Sequence, residues 1–167
     1  MTERPDLSTE EGRRAFIGYL NGRLPTKRAI AQGILRNGRG EILLCELTYK
    51  REWDLPGGVV DPGESPAVCV AREVREELGL AVTAGDLLAV NWLPPYRGWD
   101  DAVLFLFDLG VLDVDIDPAD FLRREIRGAH WVALDDVDQH VAPYVARMVA
   151  SAAGAEHTAY LEDGVER

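Results

Sequence analysis

Cysteine is scarce in this chain: Cys45 and Cys69 are the only two in 167 residues. No disulfide framework is therefore expected, and a reducing, cytoplasmic setting suits the sequence. No apolar run approaches the roughly 18 residues of a membrane span, and the opening stretch, MTERPDLSTEEGRR, is too polar for a signal peptide. Positive charge is in short supply as well. Eighteen Lys and Arg against 29 Asp and Glu leave a net charge of −11, whereas a nucleic-acid polymer or an anionic membrane calls for a basic surface. Neither is expected as a partner. The three histidines, His130, His140 and His157, form no metal-binding pair at helical spacing, so structural or solvent-exposed roles are expected of them. What is left is an acidic chain with 47% hydrophobic residues, long enough for one well-buried core and short for two.

Four glutamates fall on one loop and helix between Gly58 and Leu80, GVVDPGESPAVCVAREVREELGL. Ser65 suits a helix cap, Pro66 its first position and Gly79 its left-handed stop, so the segment between them is predicted to be helical. At about 100° per residue, Glu73, Glu76 and Glu77 then share one face, beside an apolar stripe of Ala67, Val70, Ala71, Val74 and Leu78. Like charges at this spacing cost a helix about 0.2–0.5 kcal/mol per pair. Such crowding calls for a cation, and ligands made only of oxygen favour Mg²⁺ or Mn²⁺ over zinc. Cys69 falls near the same face; its soft sulfur suits that metal poorly and is expected to pack.

The rest of the chain reads as an α+β domain with a mixed sheet between helices. Ser8-Thr9-Glu10-Glu11 resembles a capping box before an N-terminal helix that ends at Asn21-Gly22, either a dimer-forming extension or simple core cover. Residues 29–35 and 41–47 are predicted to pair as an antiparallel hairpin across Asn37-Gly38. Lys50 and Arg51 lie in the following loop, where they are candidates to hold phosphate. Strands are predicted over 87–93 and 103–109. They flank a loop in which Tyr96 and Trp99 are candidates to stack on a base and Arg97 to pair with phosphate. Asp113, Asp115 and Asp117 alternate like calcium ligands, but Pro118 replaces the required glycine and Arg124 the bidentate glutamate, so that reading is rejected. A strand near His130, a short turn capped by Asp135 and a helix over 143–154 follow. The polar tail is expected to be partly disordered, with Tyr160 and Leu161 as the residues able to dock.

The glutamate-rich stretch resembles the Nudix box. The resemblance rests on Gly58, Glu64, Arg72, Glu73, Val74, Glu76, Glu77, Gly79 and Leu80, with Leu55-Pro56-Gly57 as its usual lead-in. It implies an α/β/α sandwich over residues 27–153, with 1–26 as a helical extension and 154–167 as a tail. It also implies hydrolysis of a phosphoanhydride in a nucleoside diphosphate linked to another moiety, with Mg²⁺ or Mn²⁺. In that scheme Glu73 and Glu77 are metal ligands, Glu76 completes the set, and a carbonyl of Gly57 or Gly58 adds a neutral oxygen. Arg72 is read as the orienting partner of Glu64, fixing loop to helix without consuming a metal ligand. The general base stays open between a box glutamate and an outside acid, with Glu125 as the outside candidate and Asp117 or Asp120 as substitutes. The substrate stays open among ADP-ribose, which the position of Pro95 resembles, nucleotide sugars and oxidised nucleoside triphosphates. A homodimer is compatible with the pattern. The alternative, a catalytically silent nucleotide-binding or regulatory module on the same fold, is disfavoured by the intact glutamates.

Overall fold

The computed structural model describes residues 5–167; of the extension expected over 1–26, residues 1–4 lie outside it. In order, the elements are α1 (Glu10–Asn21), β1 (Arg28–Arg36), β2 (Ile42–Leu47), β3 (Gly57–Val59), α2 (Pro66–Leu78), β4 (Leu87–Leu93) and β5 (Ala102–Val111). β6 (Ile126–Val132), α3 (Pro143–Gly154), β7 (Ala159–Glu162) and β8 (Val165–Glu166) complete the chain. One sheet runs β6-β2-β1-β5-β4-β7-β8, with β3 on β1. It is mixed, because β1–β5 and β4–β7 are parallel and the other pairs antiparallel.

Side chains alternate across a strand, and that alternation builds two cores. Ala31 and Leu35 of β1, Leu43 and Cys45 of β2, and Phe107 and Leu109 of β5 meet Val70, Val74 and Leu78 of α2. Ile34, Leu44, Leu104 and Leu106 point the other way, against Val145, Met148 and Val149 of α3. The result is the expected α/β/α sandwich.

The local signals around α2 are all used. Ser65 Oγ accepts from the Val68 N–H at 3.3 Å, Pro66 opens the helix, and Gly79 closes it at φ 71°. At α1 the cap sits one residue later than the capping box suggested: Thr9, not Ser8, accepts from the Gly12 N–H. Nor does α1 cover the core, since Phe16, Ile17 and Tyr19 are 36%, 54% and 54% exposed. Asp135 lies inside the turn Leu134–Gln139, which has no side-chain cap.

The hairpin is only partly a hairpin. β1 and β2 share the register pair Arg36↔Ile42 at their turn and then part. β2 follows β6, while β3 takes the vacated edge of β1 through Ile30↔Val59, Ala31↔Gly58 and Gln32↔Gly57. This divergence brings the Gly57-Gly58 backbone to the middle of the sheet, beside α2. The tail is ordered rather than loose. β7 joins β4 in parallel, burying Ala159 and Leu161 in the α3-side core, while Tyr160 stays exposed. Its composition hid this, because a short strand needs buried side chains at alternate positions only.

Candidate active site

Glycine is dictated at both positions of the strand that faces α2. A Cβ on Gly57, whose φ is 135°, would lie 2.1 Å from the Ala31 carbonyl oxygen, and one on Gly58 would lie 2.6 Å from Glu73 Cδ and Oε1. The Glu73 carboxylate therefore rests directly on the Gly58 backbone. Along the helix, exposure separates the three acids. The Glu73 side chain is 15% exposed and Glu76 54%, and Glu77 is buried at 5%.

Burial without a matching cation raises an acid's pKa. The Glu77 carboxyl is pushed up to about 8, by burial first and next by the charge on Glu73, with the Gly57 N–H opposing the rise and Glu125 and Asp54 adding to it. Burial also lifts Glu73, against the pull of Arg72 and helped by Glu76 and Glu125. These carboxylates destabilise one another's charge, and a divalent cation among them would remove the conflict.

Arg72 organises the surroundings. Its Nε and Nη2 donate to Glu64 Oε1 and Oε2 at 2.8 and 2.9 Å, a fork that drops the Glu64 carboxyl to about 2. The Glu64 carboxylate also accepts the Asp61 N–H at 3.1 Å, so loop and helix are tied together. Arg72 does more than the orienting role expected, since its Nη1 also reaches Glu73 Oε1 at 2.9 Å and Glu76 Oε2 at 3.1 Å. With those bonds made, no three His, Cys, Asp or Glu side chains among the described residues are arranged as a complete metal shell. The donor set nevertheless fits a hard cation. It consists of carboxylate and backbone oxygens around one buried acid, and loading would require Glu73 and Glu76 to turn from Arg72.

Of the three outside acids expected from the sequence, Glu125 is the one that reaches this cluster electrostatically, raising both Glu73 and Glu77. Its backbone carbonyl accepts the Thr48 N–H at 2.9 Å and its carboxylate accepts from Arg124 Nε at 3.0 Å. Asp117 instead accepts the Ala119 N–H at 2.8 Å, and Asp120 packs on Gly79 at the far end of α2. Cys69 packs as expected, buried with Sγ 3.5 Å from the Val59 carbonyl oxygen.

The candidate phosphate and base contacts are divided. Lys50 Nζ is paired at 2.6 Å with Asp54 Oδ2, so its charge is already matched, while Arg51 is exposed. Tyr96 and Trp99 pair across the two-residue turn Arg97-Gly98, with mutual backbone bonds of 3.0 and 2.9 Å. The Arg97 guanidinium lies over Tyr96 and that of Arg28 over Trp99. None of the three touches the box carboxylates. Sequence reasoning passed over Asp54 and Gln32. Asp54 is 4% exposed and accepts from Gln32 Nε2 at 2.8 Å and from the Leu55 N–H at 3.0 Å. An aspartate enclosed by Trp53 and Leu55 was the available signal, because a charge in an apolar setting needs partners.

Comparison with known proteins bears on the family and the fold. The NUDIX domain family model matches residues 26–151. An RNA pyrophosphohydrolase of Proteus mirabilis is 31% identical over 115 residues, 60% of this chain and 65% of the relative. An 8-oxo-dGTP diphosphatase of Haemophilus influenzae is 36% identical over 62 residues, 35% of this chain and 46% of the relative. The chain spans about a third to two thirds of the length of the first curated relatives it matches. The MutT protein of Methanosarcina mazei superposes with a TM-score of 0.62 at 28% identity, covering 78% of this chain and 94% of that one.

Proposed function

The chain belongs to the Nudix family, and on that premise we propose that it hydrolyses a phosphoanhydride bond in a nucleoside diphosphate linked to another moiety, using Mg²⁺ or Mn²⁺. The observation that carries this reading is the buried Glu77 beside Glu73, with Gly58 pressed against the latter's carboxylate. A buried acid beside a second carboxylate is costly unless something of opposite charge uses it.

A divalent ion supplies charge neutralisation for the phosphates and acidifies an attacking water. Glu73, Glu76 and Glu77 would hold it, together with a carbonyl of Gly57 or Gly58. Arg72 keeps the Glu64 loop on the helix, so that the glycine backbone stays opposite the carboxylates. Glu125, whose charge raises the Glu77 carboxyl, would take a proton from the attacking water or add a ligand. For the organic part of the substrate, Tyr96 and Trp99 offer rings, and Lys50, Arg51 and Arg97 offer cations. The exposed apolar flank of α1 supports a homodimer.

The deciding experiment incubates the protein with Mg²⁺ or Mn²⁺ and ADP-ribose, nucleotide sugars, oxidised nucleoside triphosphates and, because the Proteus relative is named for it, an RNA pyrophosphohydrolase substrate. Products are identified by mass. Metal-dependent cleavage of at least one phosphoanhydride is expected. No turnover on any, with or without metal, would remove the assignment.

A further inference from the structure

Trp53 lies between two imidazoles. Its ring centroid is 4.2 Å from that of His130 at an interplanar angle of 12°, and 4.2 Å from that of His140 at 9°. The two histidines come from opposite sides, His130 from β6 and His140 from the end of the turn Leu134–Gln139. The backbone is tied at the same place, because the Trp53 N–H donates to the His140 carbonyl at 2.9 Å. Flat stacking on both faces at this distance leaves the indole little freedom to turn.

What Trp53 precedes gives the sandwich its meaning. Asp54 pairs with Cys45 through two backbone hydrogen bonds of 2.8 and 3.0 Å. Leu55 is buried at 2%, and the Pro56 carbonyl accepts the Gly33 N–H at 3.0 Å. Gly57 and Gly58 follow at once. Five residues thus run from the stacked ring to the backbone that faces Glu73 and Glu77, with β1 and β2 on either side. His130 Nε2 also lies 3.3 Å from Glu46 Oε2, but neither imidazole is hydrogen-bonded to Glu73 or Glu77, and this short, braced segment is the direct chain link from the stacked ring to the glycines.

We propose that His130 and His140 are positioning residues that act by stacking on Trp53, fixing the Asp54–Gly58 segment so that the glycine carbonyls sit at a set distance from the box carboxylates. The proposal rests on the metal-dependent reading above. Its chemistry is that of ring faces rather than of proton transfer. A phenyl ring in place of an imidazole preserves the stack, and a methyl group does not.

The test compares His130→Ala, His140→Ala and the double variant with His130→Phe and His140→Phe. Mn²⁺ binding is read by electron paramagnetic resonance without substrate, alongside kcat, KM and Tm. The double alanine variant is expected to bind Mn²⁺ about 5- to 10-fold more weakly, at the lower edge of what outer-shell changes do to metal affinity. At saturating metal its kcat should fall while KM holds, and the phenylalanine variants should recover both binding and kcat to within about twofold of the wild type. A purely structural stack would lower Tm of the alanine variants and leave Mn²⁺ affinity at its wild-type value, which overturns the proposal. Phenylalanine variants as impaired as the alanine ones would overturn it too, since stacking would not be the cause. The parent reading fails separately, if the wild type neither binds Mn²⁺ nor turns over any substrate.

Discussion

Arg72 grips Glu64 through two parallel hydrogen bonds, Nε to Oε1 at 2.8 Å and Nη2 to Oε2 at 2.9 Å. The pair joins the loop after β3 to the middle of α2. It leaves Nη1 free for Glu73 and Glu76, so one guanidinium serves both the frame of the site and two of its proposed ligands. Planar, bidentate geometry is what lets arginine do this where lysine would not.

Two effects should therefore separate on mutation. Glu64→Gln loosens the loop alone, whereas Arg72→Ala also frees Glu73 and Glu76, so the arginine variant is expected to lose more activity. The double variant should be no worse than Arg72→Ala. Strictly multiplicative losses of kcat/KM in a double-mutant cycle would show that the two residues act independently, contrary to the fork.

Glu77 gives a dependence of stability on pH whose sign can be worked out. Its pKa is raised from 4.5 to about 8, so its contribution to stability is full below about pH 4.5, is lost as pH climbs through about 8, and is absent above that. Glu64 runs the other way. Lowered to about 2, it contributes fully above about 4.5 and is lost as pH falls toward 2, so the two windows do not overlap. Without added cation, Tm should fall between pH 6 and pH 8.5. Glu77→Gln should flatten that fall, keep the fold and nearly abolish turnover. Mg²⁺ favours the ionised site and should restore Tm most at the high-pH end. Unchanged kcat in Glu77→Gln at saturating Mg²⁺ would remove Glu77 from the ligand set.

Gly58→Ala tests the contact between strand and helix. The added Cβ would lie 2.6 Å from the Glu73 carboxylate, which must swing away, and the alanine is expected to weaken Mn²⁺ binding by about 10-fold or more. Gly63 is the matched control. Its Cβ meets nothing within 4 Å, and only its φ of 83° opposes substitution, so Gly63→Ala should lower Tm with Mn²⁺ affinity unaltered. Equal Mn²⁺ affinities in the two variants would break the link between Gly58 and Glu73.

The helix, its caps and its acidic face were legible because local rules act there within a turn or two: Ser65, Pro66 and Gly79 each do what their chemistry allows. The strands were legible too, as apolar runs, but which residues face which helix was not, because β1 and β2 are buried on both faces. The course of the backbone after the Asn37-Gly38 turn was not. The turn fixes only the nearest register pair, and the early parting of β1 and β2 goes with β3 taking the edge of β1 that β2 leaves. Asp54 and Gln32 escaped for the same reason, since their pairing spans 22 residues and exists only once β1 and the loop before β3 are side by side. Tail residues 159–162 show the limit of composition, because their polar spacing conceals two buried positions on a strand.

Glu125 decides whether the chemistry is confined to the box. Among the outside acids considered, it is the one whose charge raises Glu73 and Glu77, while Asp117 is used in a turn and Asp120 faces Gly79. If it takes the proton of the attacking water, Glu125→Gln should lower kcat by about 10²-fold or more with little change in KM, the scale of general-base assistance. If it is a metal ligand, the loss should be smaller and extra Mn²⁺ should recover much of it. Glutamine keeps the side chain's shape, and the Thr48 bond is to the backbone carbonyl, so Tm should barely move. Asp117→Asn and Asp120→Asn, measured beside it, should be close to wild type in kcat. A strong defect in either of those, with Glu125→Gln unaffected, would transfer the role to that aspartate and require the 113–120 loop to move. Three silent variants would leave the proton to Glu73, Glu76 or Glu77.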